Sequence, residues 1–132
     1  MQAKHGDRAT FLTIYIKEAH PEDEWQMGVN EDEGVCYMQP TTLDERAAIA
    51  RDFIEETDFG LELVMDSMDD AVEEAFAAWP ERLYVIDDGV VAYKGGMGPM
   101  DFDPDELDAW LDTNLTERSG AETEPGNGAG LP

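Results

Sequence analysis

Residues 10–16, TFLTIYI, combine β-branched and aromatic side chains with no turn former, and such a run reads as a buried strand. The segment after this strand narrows the fold further. A polar stretch from Lys17 to Thr41, holding Pro21, Gly28, Gly34 and Pro40, leads into Thr42-Leu43-Asp44-Glu45. That tetrapeptide is a capping box, in which a hydroxyl and a carboxylate each satisfy an orphan backbone N–H. Leu43, Ala47, Ala50 and Ile54, with Ile49 and Phe53 beside them, then form one apolar helical stripe, and Gly60 comes just after the helix. Leu61–Met65 reads as a second strand. Strands separated by a helix imply a parallel pair.

The remaining chain adds an antiparallel pair. Ser67-Met68-Asp69-Asp70 opens a helix with Val72, Ala75, Phe76 and Trp79 on one face, and Pro80 ends it. Leu83–Ile86 and Val90–Tyr93 are strands joined by Asp87-Asp88-Gly89, a strong hairpin signal because Asp and Gly tolerate positive φ. After the glycine-rich loop Gly95-Gly96-Met97-Gly98-Pro99, Asp103 caps a last helix, with Pro104 in its first turn and Glu106 completing a box. Leu107, Trp110, Leu111 and Leu115 form the apolar face of that helix. The order β-loop-α-β-α-β-β-α predicts an α/β fold: one mixed sheet with helices on both faces. The domain is expected over residues 1–116, with a disordered acidic, glycine-rich tail over 117–132.

Several function classes are excluded at this level. The chain of 132 residues suits one domain, and its 42% apolar content is too high for a disordered chain. No apolar run is long enough to span a membrane, and the N-terminal MQAKHGDRAT has no signal-peptide core. Eight Lys and Arg against 32 Asp and Glu give a formal net charge of −24, the wrong sign for nucleic-acid backbones. The single cysteine, Cys36, excludes an intrachain disulfide, a CxxC pair and a cysteine-based zinc site. A cytoplasmic chain is expected.

The strongest chemical candidate is Glu18-Ala19-His20, with Tyr15 and Trp25 nearby. It lies just past the first strand, where parallel α/β sheets place ligands. A carboxylate two residues from an imidazole can orient it and raise its basicity, making a proton relay; the plainer alternative is an exposed His in an acidic loop. Cys36 stands among Glu31, Asp32 and Glu33, surroundings that blunt a thiol's nucleophilicity. Asp101, Asp103, Asp105 and Asp112 have some of the spacing of a calcium loop, but Glu106 stands where such loops need Gly. No metal or cofactor is expected. Asp66, Asp69 and Asp70 read as helix-start charges, and Trp79, Tyr84, Tyr93 and Trp110 as core.

Three stretches resemble one family. TFLTIYIKEAHPEDEW, QPTTLDERAAIA at 39–50 and AAWPERLYVIDDGVVAYKGGMGPMDFDPDELDAWL at 77–111 are similar to iodothyronine deiodinases, a branch of the thioredoxin-fold proteins. The resemblance implies a thioredoxin-like fold, reductive thiol or selenol chemistry, and a small-molecule or thiol reductant as partner. It places Tyr15 beside the nucleophile and assigns Glu18 and His20 to proton delivery. The family's nucleophilic Sec or Cys lies on a strand and helix that precede the segment matching Met1, and Cys36 does not occupy its place. A chain lacking that β-α unit is expected to be inactive, and to be a fragment, a mis-called start, a degenerate paralogue or the recipient of another chain's strand. That strand is central in such sheets, so its loss opens two ladders. A His expected near Pro40 and Thr41 is absent, and Met97 stands where a hormone-contacting Arg is expected, which argues against thyroid hormone as substrate. The alternative is a non-catalytic binding module using the 20–40 loop or an open sheet edge.

The charge carries its own expectation. Lysine occurs only as Lys4, Lys17 and Lys94, and the acids are spread along the whole chain. Such a surface repels itself at low salt and is relieved by screening, as in proteins adapted to concentrated salt. The melting temperature should rise as KCl is raised towards molar concentrations. A flat or falling curve contradicts this.

Overall fold

The Asp88-Gly89 corner shows how closely local sequence dictates the backbone here. Both residues have positive φ, 48° and 75°, as the tight hairpin turn requires. The structure is a computed structural model that describes residues 1–21, 23, 24 and 37–121. Its elements are α1 (Gln2–His5), β1 (Leu12–Tyr15), α2 (Leu43–Thr57), β2 (Glu62–Met65), α3 (Ala71–Phe76), β3 (Tyr84–Asp87), β4 (Val90–Lys94) and α4 (Pro104–Ala121). The sequence order is recovered, with the single turn α1 added in front. Helix α4 runs to Ala121, beyond the residue where the tail is expected to begin.

Local chemistry accounts for most helix ends. At α2 the Glu45 N–H donates to Thr42 Oγ1 at 3.2 Å, and Glu45 Oε2 accepts from the N–H groups of Thr41 and Thr42 at 2.7 and 3.3 Å. At α4, Asp103 Oδ1 accepts from the N–H groups of Asp105 and Glu106. Gly60 follows α2 as expected, with Asp58 taking the left-handed position at the helix end, φ 50°. One end differs from expectation. Helix α3 stops at Phe76, with Ala77 left-handed, so Trp79 lies outside the helix and Pro80 is not its terminator.

The strands do not form the single mixed sheet expected. Strand β1 pairs with β2 in parallel, Leu12 opposite Glu62 through Tyr15 opposite Met65, and β3 pairs with β4 antiparallel. These are two separate two-stranded sheets. The physical reason is that no strand among the described residues lies between them. The 10–16 run is also less buried than its composition suggests. Only one face of β1 is covered, by α2, where Tyr15 meets Phe53 at a ring separation of 6.1 Å. On the other face Leu12, Ile14 and Val64 stay 52%, 37% and 41% exposed.

The apolar core is correspondingly small: Ile49 and Ala50 of α2 and Leu107 and Leu111 of α4. The aromatic residues expected in the core are half-buried pairs instead. Phe76 meets Tyr84 edge-on at 5.0 Å, and Tyr93 meets Trp110 at 5.8 Å, which docks α3 and α4 onto the hairpin. Polar contacts tie α1 to α4. His5 of α1 bonds Asp108 of α4 at 2.9 Å, beside Lys4 salt bridges to Asp108 and Asp112. Among the described residues no helix is long and apolar enough to cross a membrane.

Arg46 and Asp66 organise the ends of the parallel pair. The Asp66 N–H continues the ladder to the Tyr15 carbonyl at 2.8 Å. The Asp66 carboxylate accepts from the N–H groups of Ser67, Val72 and Glu73 at 2.8–3.0 Å, and so caps α3 from outside it. Desolvation alone pushes this carboxyl up, but the three N–H donors and the Arg46 guanidinium outweigh it and hold the carboxyl below its usual range. A depressed carboxyl stabilises the fold above its unfolded value of about 3.9, and that contribution is lost as pH falls through the lower folded value. Asp66→Asn should therefore cost about 2 kcal/mol or more at pH 7 and flatten the acid limb of stability against pH below about 4. Urea melts across pH 2–7 check both; an unchanged acid limb contradicts the assignment.

Candidate functional site

The candidate site is built where two parallel strands end together. Beyond Tyr15 the chain turns outwards through Lys17, Glu18 and His20, and beyond Met65 it turns through Asp66–Asp70 into α3. Between these turns and the start of α2 lies a cavity of about 560 Å³, whose walls include Lys17, Glu18, Gln39, Arg46, Asp70, Glu73 and Trp79. Its placement past the strand ends is the one expected from the sequence.

Tyr15 and Glu18 are brought together. The Tyr15 hydroxyl donates to Glu18 Oε1. Burial first, and then this bond to a carboxylate, push the phenol well above its ordinary range. Tyr15 is thus held protonated at neutral pH, as a donor aimed at Glu18. His20 lies two residues on, half-buried in a bend. The carboxylate expected to orient the imidazole is engaged by the phenol. Trp25 and Cys36, with Glu31, Asp32 and Glu33, lie outside the described residues.

Gln39 holds Glu18 from the opposite side. Its side-chain oxygen accepts from the Glu18 N–H at 3.0 Å, and its amide nitrogen donates to the Glu18 carbonyl at 3.1 Å. The Gln39 N–H donates to Asp23 Oδ1 at 2.7 Å. Nearby, the Tyr37 hydroxyl donates to Asp52 at 3.1 Å, and burial together with that carboxylate pushes it up to about 12.

Arg46 closes the floor. It is 2% exposed, and its guanidinium donates to the carbonyls of Asp66 and Ser67 and to Asp70 Oδ1 at 2.8–3.0 Å. Lys17 reaches Glu73 at 3.4 Å across the opening. The cations of the cavity are therefore matched by its carboxylates, and no excess positive charge faces it. Among the described residues no three His, Cys, Asp or Glu side chains are grouped to hold a metal ion.

In the sequence Asp66 is legible only as a helix-start charge, and its reach to three N–H groups depends on the turn it starts. Arg46 carries a signal of its own. It falls within the apolar stripe, three residues after Leu43 and four before Ala50, where a cation must find buried acceptors. Gln39 has no signal in the sequence beyond its place before Pro40.

The chain is similar to known proteins. The family described as iodothyronine deiodinase matches residues 2–115. Thyroxine 5-deiodinase of Homo sapiens is 39% identical over 118 residues, which is 89% of this chain and 38% of that protein. Thyroxine 5-deiodinase of Aquarana catesbeiana is 39% identical over 122 residues, 91% of this chain and 43% of the relative. Type I iodothyronine deiodinase of Xenopus laevis is 38% identical over 99 residues, 75% of this chain and 37% of the relative. The chain spans less than half the length of each of these relatives. Both strand pairs and the Tyr15–Glu18 site lie inside the matched residues, and the chain belongs to the iodothyronine deiodinase family.

Proposed function

We propose that this chain forms the proton-delivering side of a reductive, thiol- or selenol-dependent dehalogenating site on a thioredoxin-like fold, with Glu18 and His20 as relay and Tyr15 beside the reacting group. The observation that carries this is the Tyr15–Glu18 hydrogen bond at the cavity wall, just past the end of β1. In reductive deiodination a thiolate or selenolate takes the iodine as the carbon–iodine bond breaks. The carbon keeps the bonding electrons and takes a proton. The sulfenyl or selenenyl iodide is then returned to the nucleophile by a thiol reductant, releasing iodide. Such a step needs an acid next to the carbon. Tyr15 and Glu18 form a fixed pair, and the imidazole of His20, which can both take and give a proton, completes the relay.

The nucleophile in this reading belongs to a strand and helix placed ahead of residue 1, between the two open sheets, and Cys36 does not substitute for it. The absence of a His near Pro40 and Thr41, and Met97 where the family resemblance leads one to expect an Arg against the hormone, argue against thyroid hormone as the substrate. The 132-residue chain alone should show no DTT-dependent release of iodide from iodinated phenols; turnover that is lost on Cys36→Ser contradicts this. A chain extended by such a strand and a nucleophilic Cys should gain turnover. In it Glu18→Gln and His20→Ala should each lower kcat by about 10²–10⁴-fold. Turnover indifferent to both substitutions contradicts the relay.

A second reading is favoured by the uncovered strands. Leu12, Ile14 and Val64 on one sheet and Ile86, Val90 and Val91 on the hairpin are exposed, as in a non-catalytic module that binds through an open edge. Its mark is a stable, specific oligomer at physiological salt, which light scattering detects.

A further inference from the structure

A side-chain amide can imitate a neighbouring strand. In an antiparallel hydrogen-bonded pair, two residues exchange both of their backbone bonds. Gln39 offers Glu18 the same exchange from its side chain, accepting from its N–H at 3.0 Å and donating to its carbonyl at 3.1 Å. Glu18 has left the sheet by this point, since β1 ends at Tyr15 and the next ladder bond joins Asp66 to the Tyr15 carbonyl. Without Gln39 neither backbone group of Glu18 has a ladder partner in β2. The Gln39 N–H also holds Asp23 Oδ1 at 2.7 Å. One residue therefore grips the loop at residues 18 and 23, on both sides of His20.

We propose that Gln39 is a positioning residue, which fixes the backbone of Glu18 so that its carboxylate meets the Tyr15 hydroxyl and which sets the ends of the loop carrying His20. Only a group with one donor and one acceptor in the same plane makes the exchange. Glutamate in its ionised form accepts from the Glu18 N–H but confronts the Glu18 carbonyl with a second acceptor, and alanine makes neither bond. Protonated glutamate recovers the donor. The consequence for catalysis rests on the relay reading; the grip on Glu18 does not.

The test uses the 132-residue chain and site-resolved NMR. Gln39→Ala should speed exchange of the Glu18 amide about tenfold, the equivalent of one ordinary net hydrogen bond. It should also speed exchange of the Tyr15 hydroxyl proton with water as the Glu18 carboxylate leaves it. Gln39→Glu should keep the Glu18 amide protected at pH 7 but lose the bond to the Glu18 carbonyl, moving that carbonyl carbon's shift away from wild type, and should return it towards the wild-type shift below about pH 4 as the new carboxyl gains a proton. That pH-dependent rescue separates positioning from a loss of stability, and it decides the matter where Gln39→Ala fails to fold. Wild-type Glu18 amide protection and wild-type Tyr15 hydroxyl exchange in Gln39→Ala overturn the proposal, as does a Glu18 carbonyl shift in Gln39→Glu that differs from wild type by the same amount at pH 3 and pH 7. Failure of the relay shows instead as turnover indifferent to Glu18→Gln, with the Gln39 effects intact.

Discussion

A guanidinium withdrawn from water at the end of a parallel strand pair sets the terms for this fold. Arg46 has almost no exposure, and burying such a charge is costly unless acceptors surround it. The chain supplies them from the turn after β2, through the Asp66 and Ser67 carbonyls and the Asp70 carboxylate. Asp66 meanwhile commits its own carboxylate to the first N–H groups of α3 and its N–H to β1. One buried charge thereby couples α2, β2, α3 and β1. Breaking such a buried pair leaves an uncompensated charge, which is why its removal costs more than its formation contributes.

The small number of strands explains the bare faces. A two-stranded sheet is marginal in water unless one face is covered. Here α2 covers β1 and β2 through Tyr15 and Phe53, while α3 and α4 cover the hairpin through Tyr84 and Tyr93. The faces left over carry Leu12, Ile14, Val64, Ile86, Val90 and Val91. An apolar set of that kind on strands with free edges is the usual mark of a surface that receives another strand or partner. The relatives are more than twice as long as the region they share with this chain.

How much of this is legible in the sequence depends on the range of the interaction. The capping box at Thr42 and Glu45, the Asp103 cap and the Asp88-Gly89 corner are set by neighbours within a few residues, and all stand as the sequence indicates. The end of α3 departs from its sequence signal because Ala77 turns left-handed before the chain reaches Pro80, a strong breaker. The 10–16 strand departs for a different reason. Its composition says that it suits burial, but how many of its faces are covered depends on which other strands are present. In the candidate site, Tyr15 and Glu18 are legible as residue types at the end of a strand. The grip of Gln39 across 21 positions comes from the tertiary arrangement and leaves no local trace, whereas Arg46 shows only as a cation within an apolar stripe and its acceptors lie 20 or more residues away.

The central claim, that Tyr15 is a proton donor fixed on Glu18 at the end of β1, can be seen directly. In a sample with isotope-labelled Tyr and Glu, the Tyr15 hydroxyl proton should be visible by NMR in slow exchange with water, with a scalar coupling to the Glu18 carboxylate carbon. A hydroxyl in fast exchange, uncoupled from Glu18, would contradict it.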